Sequence, residues 1–349
     1  MIRSKHYLAT PPGMTIKEQL EDREMTQKEF AARMGLSEKH VSKLINGEVQ
    51  LTSEMAVRLE YVLGLPASFW NNLEAIYREK LAKVNEENEM EADIELSHKF
   101  PYNAMVKNNW IDSATKPEER VVALRKFFEV VNLSLVLDTR LMRIACRRMA
   151  ETEKADYALI SWAQKAKLEA RDTATKEIDI KTLKQILPDI RKMTVLPPEK
   201  FCPQLVDMLA NCGIALVFLP HIGGSFLHGA TFYDGSKIVI GLTVRGKDAD
   251  RFWFSLFHEL GHVIRNDIAK PNGTMEEDEQ LADLFARNTL IPIDAYDSFI
   301  RANNFSRESI IHFAKTQQVA PCIILGRLQK DKKLPYTYYT DLKVKYEIA

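Results

Sequence analysis

His258-Glu259-Leu260-Gly261-His262 is followed, seventeen residues after the second histidine, by Glu279-Gln280-Leu281-Ala282-Asp283. On a helix, residues four apart lie one above the other, so His258 and His262 can offer two imidazole nitrogens to one zinc ion. Glu259 then flanks the metal without binding it. Its carboxylate can take a proton from a metal-bound water and pass it to a leaving amine, which is the chemistry of a mononuclear zinc hydrolase. Glu279 supplies a third ligand from a second helical run. Asp283, one turn later, can accept the free ring N–H of a liganding histidine. The fourth coordination position is left open for water or substrate, as in a catalytic rather than a structural zinc site.

These groups need rigid elements to aim them. Apolar residues at 253, 256, 257, 260, 263 and 264 have helical spacing and predict a buried helix that carries both histidines. Ahead of it, the apolar run Ile214 to Leu219 suits a buried strand. Gly229 to Ile240 reads as a hairpin turning at Asp234-Gly235, so a small sheet is expected beside the metal helix. A sheet edge there could take an extended substrate peptide as an added strand. His228, Tyr233 and Arg245 are the candidates for stabilising an oxyanion, each with an ordinary structural role as the alternative. His98, His221 and His312 lack partners at ligand spacing and read as surface or loop residues.

The chain has 349 residues, 48 Lys+Arg against 48 Asp+Glu, and a formal net charge of zero. This length predicts two or three domains, and the charge balance means that any nucleic-acid surface must be local. Cys146, Cys202, Cys212 and Cys322 are scattered without a Cys-x-x-Cys pair, which argues against a disulfide framework and for buried thiols in a reducing compartment. No stretch approaches the ~18 apolar residues of a membrane span, and the first residues lack an apolar leader, so a cytoplasmic protein without membrane contact is expected.

Residues 1–84 read as short helices joined by tight turns. Thr26-Gln27-Lys28-Glu29 is a capping box, Gly35 ends the helix it opens, Ser37 caps the next, and Asn46-Gly47 closes that one. Two short helices separated by a glycine turn form the helix-turn-helix pattern. The stretches Pro12-Gly13, Met25 to Ala31, Gly35-Leu36-Ser37, Val41 to Gly47, Ala56 to Leu59 and Phe69 to Leu73 resemble the HigA-type antitoxins of the XRE, lambda-repressor-like family. That resemblance implies double-stranded operator DNA as a partner. It places Gln27 on phosphate, Glu38, Lys39, Ser42 and Lys43 toward the major groove, and Asn46 on the backbone. Residues 1–83 hold 12 Lys+Arg against 11 Asp+Glu, too weak a bias for tight monomeric binding, and a homodimer on two half-sites would compensate.

Residues 85–97, with Glu86, Glu87, Glu89, Glu91, Asp93 and Glu95, read as an acidic linker or a solvated helix face, and 98–200 as a helical connector. Residues 201–349 form the expected metal domain. Within it Ile240-Gly241-Leu242, Asp248 to Arg265 and Glu279 to Pro292 resemble the ImmA/IrrE metallopeptidases, with Asn288-Thr289-Leu290-Ile291-Pro292 departing from the family's usual run. The resemblance implies a zinc-dependent endopeptidase acting on a repressor protein. Ile310 to Leu328 has a second helix-turn-helix-like shape that reads better as a helical hairpin on the core.

The expected architecture is therefore multidomain and mostly helical: an N-terminal helix-turn-helix bundle, a helical connector, and a small α+β zincin-like domain with its His-Glu-x-x-His helix. Two functions follow from it. One is a DNA-binding regulator, of toxin–antitoxin or phage-repressor type, whose zinc domain hydrolyses a peptide bond in a repressor or partner protein. The other is an autorepressing HigA-like antitoxin whose zinc domain is structural or holds a toxin.

Overall fold

A computed structural model describes residues 2–137, 144–145, 153–223, 228–243, 248–270 and 274–347. It divides into two compact units, 1–95 and 96–349.

The first unit opens with a short hairpin, β1 (Ile2–Arg3) and β2 (Leu8–Ala9), followed by α1 (Gly13–Asp22), α2 (Gln27–Met34), α3 (Glu38–Asn46), α4 (Ser53–Leu63) and α5 (Ala67–Ser97). The predicted helix starts are present. Thr26 Oγ1 accepts the Glu29 N–H at 3.1 Å, and Ser37 Oγ accepts the His40 N–H at 3.2 Å. The Glu29 carboxylate, expected to reach back to Thr26, is instead engaged by Arg33 Nη2 at 2.7 Å. Two arginines satisfy carbonyls at helix ends: Arg58 donates to Met34 O at 3.1 Å and Arg23 to Leu63 O at 2.6 Å. Ile16, Phe30, Val41, Leu59 and Trp70 form the fully buried centre of this bundle.

Gly13 explains the Pro-Gly start of α1. A Cβ at this position would lie 2.1 Å from Ile45 O and 2.3 Å from Ile45 Cα, so only glycine lets α1 approach the end of α3. Gly13→Ala is expected to destabilise the first unit by about 2–4 kcal/mol, because the obstacle is backbone rather than a mobile side chain. Calorimetry of the full chain checks this; an unchanged melting profile would contradict it.

The acidic stretch 85–97 is not a separate linker. It is the second half of the 31-residue helix α5, and the boundary between units falls at 95/96 instead of 84/85. Glu87 meets the Ser4 hydroxyl and His6 Nδ1, and its carboxylate accepts the His6 N–H at 3.0 Å. The Ser4 and His6 hydrogen bonds pull its pKa down to about 2. A sequence read by composition sees only charge here; the amino-terminal hairpin that uses that charge lies more than eighty residues away.

The second unit contains α6 (Tyr102–Lys107), α7 (Pro117–Phe128), β3 (Ile144–Ala145), α8 (Glu153–Ala170), α9 (Ile180–Lys192), α10 (Pro198–Ala210), β4 (Ile214–Phe218), β5 (Gly229–Asp234), β6 (Lys237–Leu242), α11 (Ala249–Arg265), α12 (Glu276–Leu290), α13 (Ile293–Ala302), α14 (Arg307–Gln317) and α15 (Pro321–Lys330). The sheet order is β3-β5-β6-β4; β4 runs parallel to β6, while β5 is antiparallel to β6 and to β3. Strand alternation splits the core. Ile214, Leu216, Ile238, Ile240 and Leu242 pack with α11, while Ala215, Val217, Ala230, Phe232 and Val239 pack with α8.

Residues 98–200 are thus more than a connector, since α8 supplies the second face of the sheet. Trp162 on α8 is fully buried, donates to Pro220 O at 3.1 Å, and lies so close to Gly241 that a Cβ there would meet its ring at 2.6 Å. The hairpin α14–α15 buries Ile310, Ala314, Ile324, Leu325 and Leu328 in the main core, with Arg191 donating to Gln317 O at 2.5 Å. This is the helical-hairpin reading of that segment. Cys212 and Cys322 are buried free thiols, Cys202 is a half-buried one, and Cys146 lies outside the described residues. Among the described residues no helix is long and apolar enough to cross a membrane.

Candidate metal centre and nucleic-acid interface

Helix α11, which carries both histidines, is almost entirely enclosed, with Trp253, Leu256, Phe257 and Leu260 fully buried. It ends at Asn266, whose left-handed conformation (φ 61°) turns the chain into a 3-10 turn over Asp267–Ala269. Helix α12 packs along α11 and brings Glu279 to the two histidines.

His258, His262 and Glu279 each direct one ligand atom into a common space, all within 4.8 Å of one another. The Nε2 atoms of the histidines are 3.1 Å apart, His258 Nε2 is 3.2 Å from Glu279 Oε2, and His262 Nε2 is 3.5 Å from Glu279 Oε1. Tetrahedral zinc with bonds of about 2.0–2.1 Å separates its donors by about 3.3 Å, so this spacing fits such an ion. Among the described residues it is the one group of three or more His, Cys, Asp or Glu side chains so arranged.

The outer nitrogens are equally well placed. His258 Nδ1 faces Asp283 Oδ1 at 2.8 Å, the partner expected from sequence. His262 Nδ1 faces Asp267 Oδ2 at 3.2 Å, a partner the sequence analysis missed. Its signal was faint: an Asx pair directly after the helix, Asn266-Asp267, which ends α11 and folds an acid back toward the ring. Thr274, also unforeseen, donates to Glu279 Oε1 at 2.7 Å.

Glu259 is set apart from the three converging side chains. Its carboxylate is buried against β5, where Thr231 Oγ1 donates to Oε2 at 2.5 Å. Gly229 leaves room for Oε1: a Cβ on it would stand 2.8 Å away. Neither residue was marked by the sequence, because hydrogen bonding between a strand and a helix has no local pattern.

The electrostatics favour a cation. Burial would depress the His258 pKa, but hydrogen bonds donated by its ring to Asp283 and Glu279 outweigh it and raise the value to about 10. His262 is raised by the same competition, with Glu279 and Glu259 prevailing over burial. Burial pushes Glu279 up, yet the hydrogen bonds of His258, His262 and Thr274 hold it well below the usual carboxylate range. Glu259 moves the other way: burial raises it, and the two histidines only partly offset this.

Of the oxyanion candidates, Tyr233 directs its hydroxyl to Asn266 Oδ1 at 3.2 Å, His228 is half-buried just before β5, and Arg245 lies outside the described residues. The strand beside α11 is β5, and its edge is not wholly free. β3 pairs with it in the register Ile144↔Phe232 and Ala145↔Thr231. At Thr231 and Phe232 the edge expected to be open is therefore paired with a strand from the preceding region.

In the first unit, the DNA-facing candidates are all exposed. Val41, Leu44 and Ile45 turn α3 inward, leaving Glu38, Lys39, Ser42, Lys43 and Asn46 exposed, and Gln27 is exposed at the start of α2. Lys39 and Lys43 are one turn apart, so both can enter the same groove.

Two short capped helices, a glycine turn between them, and a second helix with a polar outer face define a helix-turn-helix DNA-binding domain. Residues 16–70 match the helix-turn-helix family. Over 63 residues the chain is 36% identical to the uncharacterized HTH-type transcriptional regulator YddM of Escherichia coli (strain K12), an alignment covering 18% of this chain and 67% of that protein. The chain belongs, through its N-terminal unit, to the XRE-type helix-turn-helix family.

Proposed function

We propose that this protein is a transcriptional regulator that binds double-stranded operator DNA as a homodimer through α3 and carries a zinc-dependent endopeptidase of ImmA/IrrE type, which hydrolyses a peptide bond in a repressor or partner protein. The observation that carries the enzymatic half is the separation of roles around α11: three side chains converge on one point, while Glu259 is held aside by Thr231. A structural site would have no use for a buried fourth acid.

Zinc, when bound by His258, His262 and Glu279, supplies Lewis acidity. The protein supplies the proton carrier. Burial raises the Glu259 carboxyl, the direction that suits a group which must both accept a proton and give it to a leaving amine. An extended substrate reaches this acid alongside β5 only by taking the place of β3 or by pairing beyond it.

Zinc binding must displace protons from the raised histidines. Loading the metal-free chain at neutral pH is expected to release about one to two protons per ion, and affinity should fall as pH falls. Titration in weakly buffered indicator solution measures this, and proton-neutral uptake would contradict it.

For the DNA-binding half, the support is the exposed polar face of α3 together with the likeness to YddM, a regulator by its description. Tyr61, 84% exposed on α4 with Val57 one turn before it, offers an apolar stripe for the second copy. Lys39→Ala and Lys43→Ala are each expected to weaken binding to a selected duplex by about 1–3 kcal/mol. Fluorescence anisotropy with duplexes recovered by in vitro selection provides the measurement; if neither variant changed affinity, α3 would not be the reading helix.

A further inference from the structure

The buried acid behind His262 is the start of a longer chain of contacts. Asp267, 2% exposed, places Oδ2 3.2 Å from His262 Nδ1 and accepts from Arg265 Nε at 3.1 Å, while Lys270 Nζ lies 3.7 Å from Oδ1. The same two cations reach Asp278. Lys270 Nζ donates to Asp278 Oδ1 at 2.5 Å and Arg265 Nη2 is 3.9 Å from it, while Asp278 Oδ2 accepts the Met275 N–H at 3.0 Å. Asp278 immediately precedes Glu279. The contacts therefore run from one ligand, His262, through Asp267, the Arg265–Lys270 pair and Asp278, to the backbone that carries another ligand.

We propose that Asp267 and Asp278, clamped by Arg265 and Lys270, form an ionic bracket that positions His262 and Glu279 for the metal. The inference rests on the metal-centre reading and extends it to residues that touch no ligand space themselves. Two carboxylates this buried repel each other unless cations sit between them, and Arg265 and Lys270 supply those cations. That arrangement fixes two quantities at once. Asp267 sets the ring orientation of His262 and keeps Nε2 free for the metal, and Asp278 anchors the first turn of α12, on which the direction of Glu279 depends.

The test uses the full-length, metal-free chain with zinc alone, in competition with a chromophoric chelator, and with cobalt as a spectroscopic substitute. Asp267→Asn keeps the shape and removes the charge. It is expected to lower zinc affinity about 10- to 100-fold and to alter the visible cobalt spectrum, beside any fall in the metal-free melting temperature that the lost ion pair causes. A role in stability alone would lower that melting temperature and leave affinity and spectrum unmoved, which would overturn the proposal. Should Asp267→Asn fail to fold, Asp278→Asn carries the test, since its amide oxygen can still accept the Met275 N–H. An affinity fall of about tenfold is expected, and wild-type affinity would overturn the bracket. Wild-type protein that takes up neither metal would overturn the metal-centre reading as well, whereas unchanged affinity beside a metal-binding wild type overturns the bracket alone.

Discussion

Glu259→Gln is expected to retain about one zinc per chain and to lose peptide hydrolysis by roughly 10²- to 10⁴-fold, the usual contribution of a positioned general acid–base. The substitution is nearly isosteric. Its amide oxygen can still accept from Thr231 Oγ1, and the space beside Gly229 remains filled, so neither fold nor ligands should be disturbed. Only proton transfer is removed. Hydrolysis can be followed with a quenched peptide library or a co-expressed helix-turn-helix repressor. The loss should appear in kcat, because the group acts in the transition state rather than in substrate binding. A variant cleaving at the wild-type rate would mean that Glu259 is not the proton carrier.

The second large effect concerns stability. His262→Ala removes one of three ligands and strips buried Asp267 of its histidine partner. The wild type should melt at higher temperature as zinc is added, gaining about 4 kcal/mol when free zinc is a thousand times its Kd. The variant should not respond to zinc at the same concentration, and its metal-free form should also be weakened, because a buried polar group has lost a contact. Thermal melts of both proteins with and without zinc measure the difference. Equal zinc-induced shifts in the two would remove His262 from the ligand set.

Much of the site was legible in the residues, and the reason is geometric. Helical spacing alone puts His258 and His262 on one face, and the structure adds Glu279 and Asp283 from the next helix at contact distance. The first unit was legible for a related reason: Thr26, Gly35, Ser37 and Gly47 are local punctuation, and local punctuation survives in sequence. What escaped was non-local. Thr231 and Gly229 reach Glu259 across a strand–helix contact, and Asp267 returns to His262 only because Asn266 adopts a left-handed turn.

The larger errors have the same origin. Glu87 is part of an acidic run by composition and a hairpin anchor by contact. Residues 98–200 carry no constellation of chemical groups, yet Trp162 and its helix cover one face of the sheet that supports α11. The open edge expected beside α11 is paired at Thr231 and Phe232 by β3, only two residues long, which no hydrophobic pattern of that length could announce.

The most direct test of the central claim is the metal content of the purified full chain beside Glu279→Ala, both prepared under metal-replete conditions and measured by elemental analysis. About one zinc per chain in the wild type, lost in the variant, is the result predicted by three ligands drawn from two helices. A wild-type chain without zinc, or a variant that keeps it in full, would contradict the account.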